Sequence, residues 1–363
     1  MRNTTRVGLA ALAAAALALA ACERSALPTV AGEDPAAATM RPGTGVAGTT
    51  PASADDCRHG GWRDLGFRNQ GECIAAARHS DGHGHDDDVH GAGHGPIIFD
   101  RNVDGDHELF AIEPDGTGLT QLTDNDVDDF YPTWFPGGSS KIAFSRRAPD
   151  GCDIFILDLA TGATSQVTDE PGLNLFPDVS PDGRRIAFAS TRDGGEYEIY
   201  VVNVDGTGLT RLTNAPGADR DPDWSRDGRR IAFTSARDGN EEIYVMNADG
   251  TGAVRVVSSI HQDIRPVWSP NDSILAFASN WDGNPEIFSV RLDSGSSPVQ
   301  LTFTTSVINT SPAWSPDGRS IIFDRDVADR PLADLWIINA DGTGEHQVTT
   351  DPAPDRNADW GVR

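Results

Sequence analysis

Pro222-Asp223-Trp224-Ser225-Arg226-Asp227-Gly228, Arg230-Ile231-Ala232-Phe233-Thr234, Arg237-Asp238-Gly239-Asn240, Glu242-Ile243-Tyr244-Val245-Met246 and Asn247-Ala248-Asp249-Gly250 form one unit of a sentence that the chain writes six times. In order, it reads as a short strand ending in Trp, a turn, an apolar strand through Phe, a hairpin turn, and a third strand opened by an acid. A last turn leads into a weaker outer strand. The first turn recurs as Ser315-Pro316-Asp317-Gly318, with Pro second and Gly fourth, as a type I turn prefers. Apolar and polar positions do not alternate cleanly, which suits a sheet covered on both faces.

Outward from this unit the same fixed points return every 44 to 48 residues. They are a Phe (Phe99, Phe144, Phe188, Phe233, Phe277, Phe323), an acid-aliphatic-aromatic triplet (ending Phe110, Phe155, Tyr200, Tyr244, Phe288, Trp336) and Pro-x-Trp (Trp134, Trp224, Trp268, Trp314). Short strands with Gly and Asp turns at that period predict an all-β fold, a six-bladed β-propeller over residues 96–363. The ends complement each other. The first repeat opens on a second-strand sequence, Ile97-Ile98-Phe99, and the chain finishes on a first-strand sequence, Ala358-Asp359-Trp360. A C-terminal strand joining the first blade would close the ring and remove its open sheet edges.

The run Pro222 to Gly228, with Arg230 to Phe233 and Glu242 to Gly252, resembles the WD-repeat-like propeller repeats of the TolB family, and the likeness extends over all six repeats. It implies a propeller whose loop face and channel serve partner binding. Members of that family carry a folded α/β domain before the propeller and are soluble in the periplasm. Here a tether and a small cysteine loop take that place, so the chain is expected to be TolB-like rather than a TolB.

Residues 1–21 have the anatomy of an export signal: Arg2 and Arg6, then an apolar stretch from Val7 to Ala21, too short for a membrane span. The stretch ends in Leu19-Ala20-Ala21-Cys22, which resembles the bacterial lipobox and makes Cys22 the lipidation site. Acyl chains contribute about 0.8 kcal/mol per buried CH₂, enough together to hold the protein to a membrane through the anchor alone. Glu23 favours the outer membrane by resemblance to enteric sorting, so the expected location is the periplasmic face of that membrane or the cell surface. Residues 22–55 are Ala, Pro, Gly, Thr and Ser, and read as a disordered tether. In residues 56–78, Cys57 and Cys73 are expected to pair once exported, which leaves Cys152 as a free thiol.

Residues 79–95 are a His, Gly and Asp-rich linker. Its imidazoles, His83, His85, His90 and His94 among them, suit a transition metal, although no rigid element fixes their geometry. Another uniform polar position lies three residues before the Pro of each repeat: Asp129, Asn174, Asp219, Asp263, Asn309 and, before Ala358, Asp355. Symmetry predicts a ring of these side chains at one channel mouth. They would either hydrogen-bond within their own loops or form a binding ring for a cation such as Ca²⁺ or for a basic peptide.

Formal charge is −26, from 55 acids against 29 bases, so a nucleic acid backbone would be repelled. No Gly-x-Ser-x-Gly elbow is present, and within the repeats only His107, His261 and His346 occur, in non-equivalent places. The expectation is a monomeric, non-enzymatic scaffold with no required cofactor that binds an envelope protein or peptide. The alternative is a metal-dependent carbohydrate-active or small-ligand-binding propeller enzyme.

Overall fold

The structure, a computed structural model, describes residues 94–362 apart from 104, 282, 294–295, 305–306, 328–332 and 351. The expected Cys57–Cys73 pair, Cys22, and His83, His85 and His90 lie outside the described residues. His94 falls at the start of the first strand, two residues inside the expected linker.

The first repeat supplies β1 (His94–Val103), β2 (Asp106–Ile112) and β3 (Thr120–Gln121); the second β4 (Asp129–Trp134), β5 (Lys141–Ala148), β6 (Gly151–Asp158) and β7 (Ala163–Gln166). The third gives β8 (Gly172–Val179), β9 (Arg185–Ser190), β10 (Glu198–Asn203) and β11 (Thr210–Arg211). The fourth gives β12 (Asp219–Trp224), β13 (Arg230–Ser235), β14 (Glu242–Asn247) and β15 (Val254–Arg255). Next come β16 (Asp263–Trp268), β17 (Ile274–Ser279), β18 (Glu286–Arg291) and β19 (Val299–Gln300). The last are β20 (Val307–Trp314), β21 (Ser320–Val327), β22 (Ala333–Asn339), β23 (His346–Gln347) and β24 (Asp355–Val362).

These strands form an all-β propeller, with no helix among the described residues. Four sheets have four strands each, in the order of the sequence reading, and one has eight. In the eight-stranded sheet β6 and β8 pair in parallel through Gly151↔Gly172 and Cys152↔Leu173. Glycine is required at that junction, because a Cβ on Gly151 would stand 1.9 Å from the Gly172 carbonyl oxygen. The final strand β24 pairs antiparallel with β1, with Trp360 opposite Ile97.

The repeated Phe side chains form the densest part of the core, since all six are fully buried. In the first five repeats Phe sits against the triplet aromatic with ring centres 5.8–6.0 Å apart. Above most of these pairs lies an arginine: the guanidinium of Arg101, Arg146, Arg192 and Arg237 sits 4.6–5.5 Å from both rings of its pair. Arg325 does the same over Phe323 and Trp336.

Each innermost strand carries a bulge. Phe130 faces Ser145 and Thr133 faces Ala143, so one extra residue is inserted on β4, and the same shift recurs in β8, β12, β16 and β20. The bulged residue is left-handed in all six repeats: Tyr131, Phe176, Asp221, Arg265, Ser311 and Asn357 have φ of 51–55°. This conformation is costly for residues other than glycine, so neighbouring contacts must impose it. Some of those contacts are explicit. The freed N–H of Tyr131 donates to Asp100 Oδ1, that of Arg265 to Thr234 Oγ1 and that of Asn357 to Asp324 Oδ2. Each acceptor belongs to the preceding repeat, so the bulge also joins neighbours. At the half-buried Asp221, substitution by Val is expected to cost about 1–2 kcal/mol in urea unfolding, whereas Gly should be tolerated. Equal midpoints for both variants would show that the backbone there is under no such demand.

Candidate functional site: the loop face and central channel

The loops that enter each innermost strand, together with the second-to-third-strand hairpins, lie on one face of the molecule. The Asp/Asn ring stands at the base of those loops. All six of its residues are fully buried, so none reaches solvent at the channel mouth. The carboxylates point instead at the stacked arginines. Arg146 grips Asp129 with Nε and Nη2, both at 2.6 Å, and Arg101 grips Asp355 at 2.6 and 2.9 Å. Arg237 donates to Asp219 at 2.9 Å, Arg192 to Asn174 Oδ1 at 2.8 Å, and Arg325 to Asn309 Oδ1 at 2.7 Å. Asp263 is the exception: Ser259 donates to it at 2.9 Å, and Trp281 occupies the place taken by Arg192 and Arg237 in the two preceding repeats. In five of the six repeats the ring is thus a framework of charge-assisted hydrogen bonds from an arginine on or just after the second strand to the first strand.

The acid of each triplet has a related task. Glu198 and Glu286 accept from the loop hydroxyls of Thr213 and Thr302, while those hydroxyls in turn accept the N–H of Ile199 and Ile287. Asp153 and Thr168 repeat the arrangement. The threonines were missed in the sequence reading. Their signal was the recurring aliphatic-Thr pair: Leu122-Thr123, Val167-Thr168, Leu212-Thr213, Leu301-Thr302 and Val348-Thr349. Burial pushes the Glu108 carboxyl up to about 8, although Thr123 and the Asn125 N–H act against that rise.

The residues that do face a cavity lie two positions beyond the ring. The six left-handed side chains and the residues that follow them line a central space of about 140 Å³. Tyr131 and Phe176 form an aromatic wall, with ring centres 4.3 Å apart. Over it lies the Arg265 guanidinium, 5.6 and 5.8 Å from the two rings, which donates to Asn357 Oδ1 at 2.6 Å and to Ser311. Burial pushes the Tyr131 hydroxyl up to about 12, against the pull of Arg265.

One side of the cavity is acidic. Asp178, Asp223 and Asp359 stand at positions where other repeats have Thr133, Val267 and Ala313. Each also reaches into the next repeat, accepting the N–H of Trp224, Trp268 and Trp134 respectively at 2.6–2.8 Å. Burial, with the Asp359 charge adding to it, raises Asp178 to about 7, and burial together with Asp178 raises Asp223 well above the carboxylate range.

The face is apolar in one sector. Ile260 and Phe303 are 92% and 74% exposed, on the loops that enter β16 and β20, and Trp281 is exposed on the hairpin between β17 and β18. Trp281 is flanked by the His261 and Phe288 rings, at 6.3 and 5.8 Å. His107 pairs instead with Asp100, and His346 lies on outer strand β23, so the three histidines of the repeats do not converge.

One structural correction bears on this face. Cys152, expected as a free thiol, is disulfide-bonded, with a partner outside the described residues. The polar run from Asp100 to Glu108 is a β1–β2 hairpin. Its Asp100 is committed to Tyr131, Asn357 and His107.

A propeller with a polar central channel, loops of unequal chemistry on one face and a framework of buried ion pairs is the class of protein these features define. The chain belongs to the TolB β-propeller domain family, whose model matches residues 107–363. A curated relative, the Tol-Pal system protein TolB of Anaeromyxobacter dehalogenans (strain 2CP-C), is 43% identical over 47 residues, 13% of this chain and 10% of that protein. The chain therefore matches about a tenth of that relative's length.

Among solved structures, TolB from Acinetobacter baumannii superposes with a TM-score of 0.67 at 24% identity, over 74% of this chain and 66% of that one. A putative TolB from Agrobacterium tumefaciens gives 0.60 at 19% identity, over 75% and 99%. At these identities the likeness is one of fold.

Proposed function

We propose that this protein is a non-enzymatic scaffold of the cell envelope, held to a membrane by lipid on Cys22, and that it binds a protein or peptide on its loop face. Membership of the TolB propeller family carries the reading, and the relative described as a Tol-Pal system protein supports a role within a multiprotein system. The propeller itself is proposed as a six-bladed ring closed by its own ends. The pairing of β24 with β1 and a cavity lined by three residues from each of six repeats both support that closure.

The exposed Ile260, Trp281 and Phe303 provide apolar anchors for a partner, and the channel beside them offers an aromatic wall, one cation and an acidic side. Contacts of this kind, not total area, set affinity. The test is recovery of envelope proteins by the full-length protein and by an Ile260→Asp/Phe303→Asp variant, whose changes lie at exposed positions. A partner recovered about tenfold less by the variant is expected. Identical recovery of every partner would remove the loop face from the reading.

A further inference from the structure

We infer that the fifth repeat holds a hard divalent cation, with the charge and size of Ca²⁺, between the ring carboxyl of Asp263 and the triplet acid Glu242. Neighbouring repeats supply the comparison, because there too the triplet acid of one repeat stands beside the ring residue of the next. Where that ring residue is Asn, its amide donates to the acid: Asn174 to Asp153 at 3.1 Å and Asn309 to Glu286 at 2.7 Å. Where it is Asp, an arginine grips it, Arg146 at Asp129 beside Glu108 and Arg237 at Asp219 beside Glu198. At Glu242 and Asp263 two carboxyls meet with neither device. The position 18 residues after the ring, which is Arg192 in the third repeat and Arg237 in the fourth, is here Trp281.

Trp281 keeps the stacking of the missing arginine but not its charge. Its ring lies over Phe288 at 5.8 Å, as the Arg237 guanidinium lies over Tyr244 at 4.6 Å. Asp263 and Glu242 are both fully buried. Asp263 Oδ2 accepts from Ser259, but Oδ1 has no hydrogen-bond partner among the described residues, and neither has the buried Ser279 hydroxyl. Burial raises Asp263, with Ser279, Ser259 and Glu242 acting against the rise, and no cation among the described residues acts on it. Burial also raises Glu242, and the Asp263 charge adds to that rise. A buried carboxylate oxygen without a partner is costly, and an ion or an ordered water is its ordinary explanation. Of the two, only an ion answers the pair of like charges.

The atoms gathered there are hard oxygens. Asn240 Nδ2 donates to Glu242 Oε1, to the Ser259 carbonyl and to the His261 carbonyl at 2.7–3.2 Å, which draws these oxygens together beside the pair. The His261 ring is stacked on Trp281 instead. Carboxylate, hydroxyl and carbonyl oxygens suit Ca²⁺, which takes such ligands at roughly 2.3–2.6 Å in flexible geometry, better than they suit Zn²⁺ or Cu²⁺. The ion does for the fifth repeat what an arginine does for its neighbours. It also fastens the loop that carries the exposed Ile260 to β14 and β16, the strands of Glu242 and Asp263.

Full-length protein stripped with a chelator and then given Ca²⁺ tests the site, by melting temperature and by equilibrium dialysis. At about 10 mM Ca²⁺ the melting temperature of the parent should rise by about 5 °C, and calcium should be retained. Two variants remove the demand for the ion in different ways. Trp281→Arg places a guanidinium where Arg237 sits in the fourth repeat, and Asp263→Asn supplies the amide that Asn174 and Asn309 supply in theirs. Each should fold and lose the calcium response.

Should Trp281→Arg fail to fold, Asp263→Asn alone decides. A parent with neither a shift nor bound calcium, the result if a water or a proton shared by the two carboxyls takes that place, overturns the inference. So does an equal shift in parent and variants, which would put the ion elsewhere in the chain.

Discussion

Asp129→Ala is expected to lower the unfolding free energy by about 3–5 kcal/mol, because it leaves the Arg146 guanidinium with its bidentate partner gone. Asp129 is fully buried and the Arg146 side chain is 18% exposed, and the arginine is pinned over Phe144 and Phe155, so it cannot turn fully out to water without uncovering that pair. Asp129→Asn should cost markedly less, since Asn174 and Asn309 already serve as acceptors for Arg192 and Arg325. Urea unfolding of the three proteins measures this directly. An alanine variant within 1 kcal/mol of the parent would mean that the ring is not structural. If the expected loss is found, alanine changes in the ring cannot be used to probe binding, because they would unfold the face that binds.

The melting temperature is expected to be higher at pH 6 than at pH 8.5, by about 5 °C or more. Burial raises Asp178 and Asp324 to about 7 and Glu108 to about 8, and raises Asp223 as well. For each group the folded state holds a proton that the unfolded chain, with carboxyls near 4, has already released. In that window the folded form binds more protons, so stability falls as pH rises from about 4 to about 8. It is fully present below the unfolded value and lost as pH passes through the folded one. Asp182, Asp205, Asp249 and Asp341 are held low by hydrogen bonds from neighbouring Ser and Thr, and oppose this trend only at acid pH below the window. A flat profile between pH 6 and 8.5, or a lower melting point at pH 6, would show that the buried acids stay ionised.

The repeated Phe and the acid-aliphatic-aromatic triplet were legible because burial and strand pairing act on the same residue type in every repeat. The complementary chain ends likewise anticipated the β24–β1 pairing. The left-handed bulge was not legible. Five of the six residues there precede Pro, which argues for extended backbone, and Tyr and Phe argue against positive φ. At Tyr131, Arg265 and Asn357, hydrogen bonds to the preceding repeat act against those preferences.

The ring's role was hidden for a different reason. Asp and Asn look the same as ligands or as partners of a buried cation. The arginines that decide the matter lie 16 to 18 residues later in four repeats, and for Asp355 at Arg101, near the other end of the described chain. Cys152 was misassigned because a count of cysteines fixes how many bonds can form, not which sulfurs meet.

Six positions around the channel share one backbone conformation, yet they present six different side chains: Tyr131, Phe176, Asp221, Arg265, Ser311 and Asn357. At Tyr131, Arg265 and Asn357 the conformation is held from outside, by acceptors in the preceding repeat, and so does not depend on which side chain occupies the point. The channel therefore behaves like a combination lock, in which each pin can be reset by one codon while the barrel keeps its shape. Two proteins with this same barrel could read unrelated partners, and a single replacement at one pin is the smallest step between them.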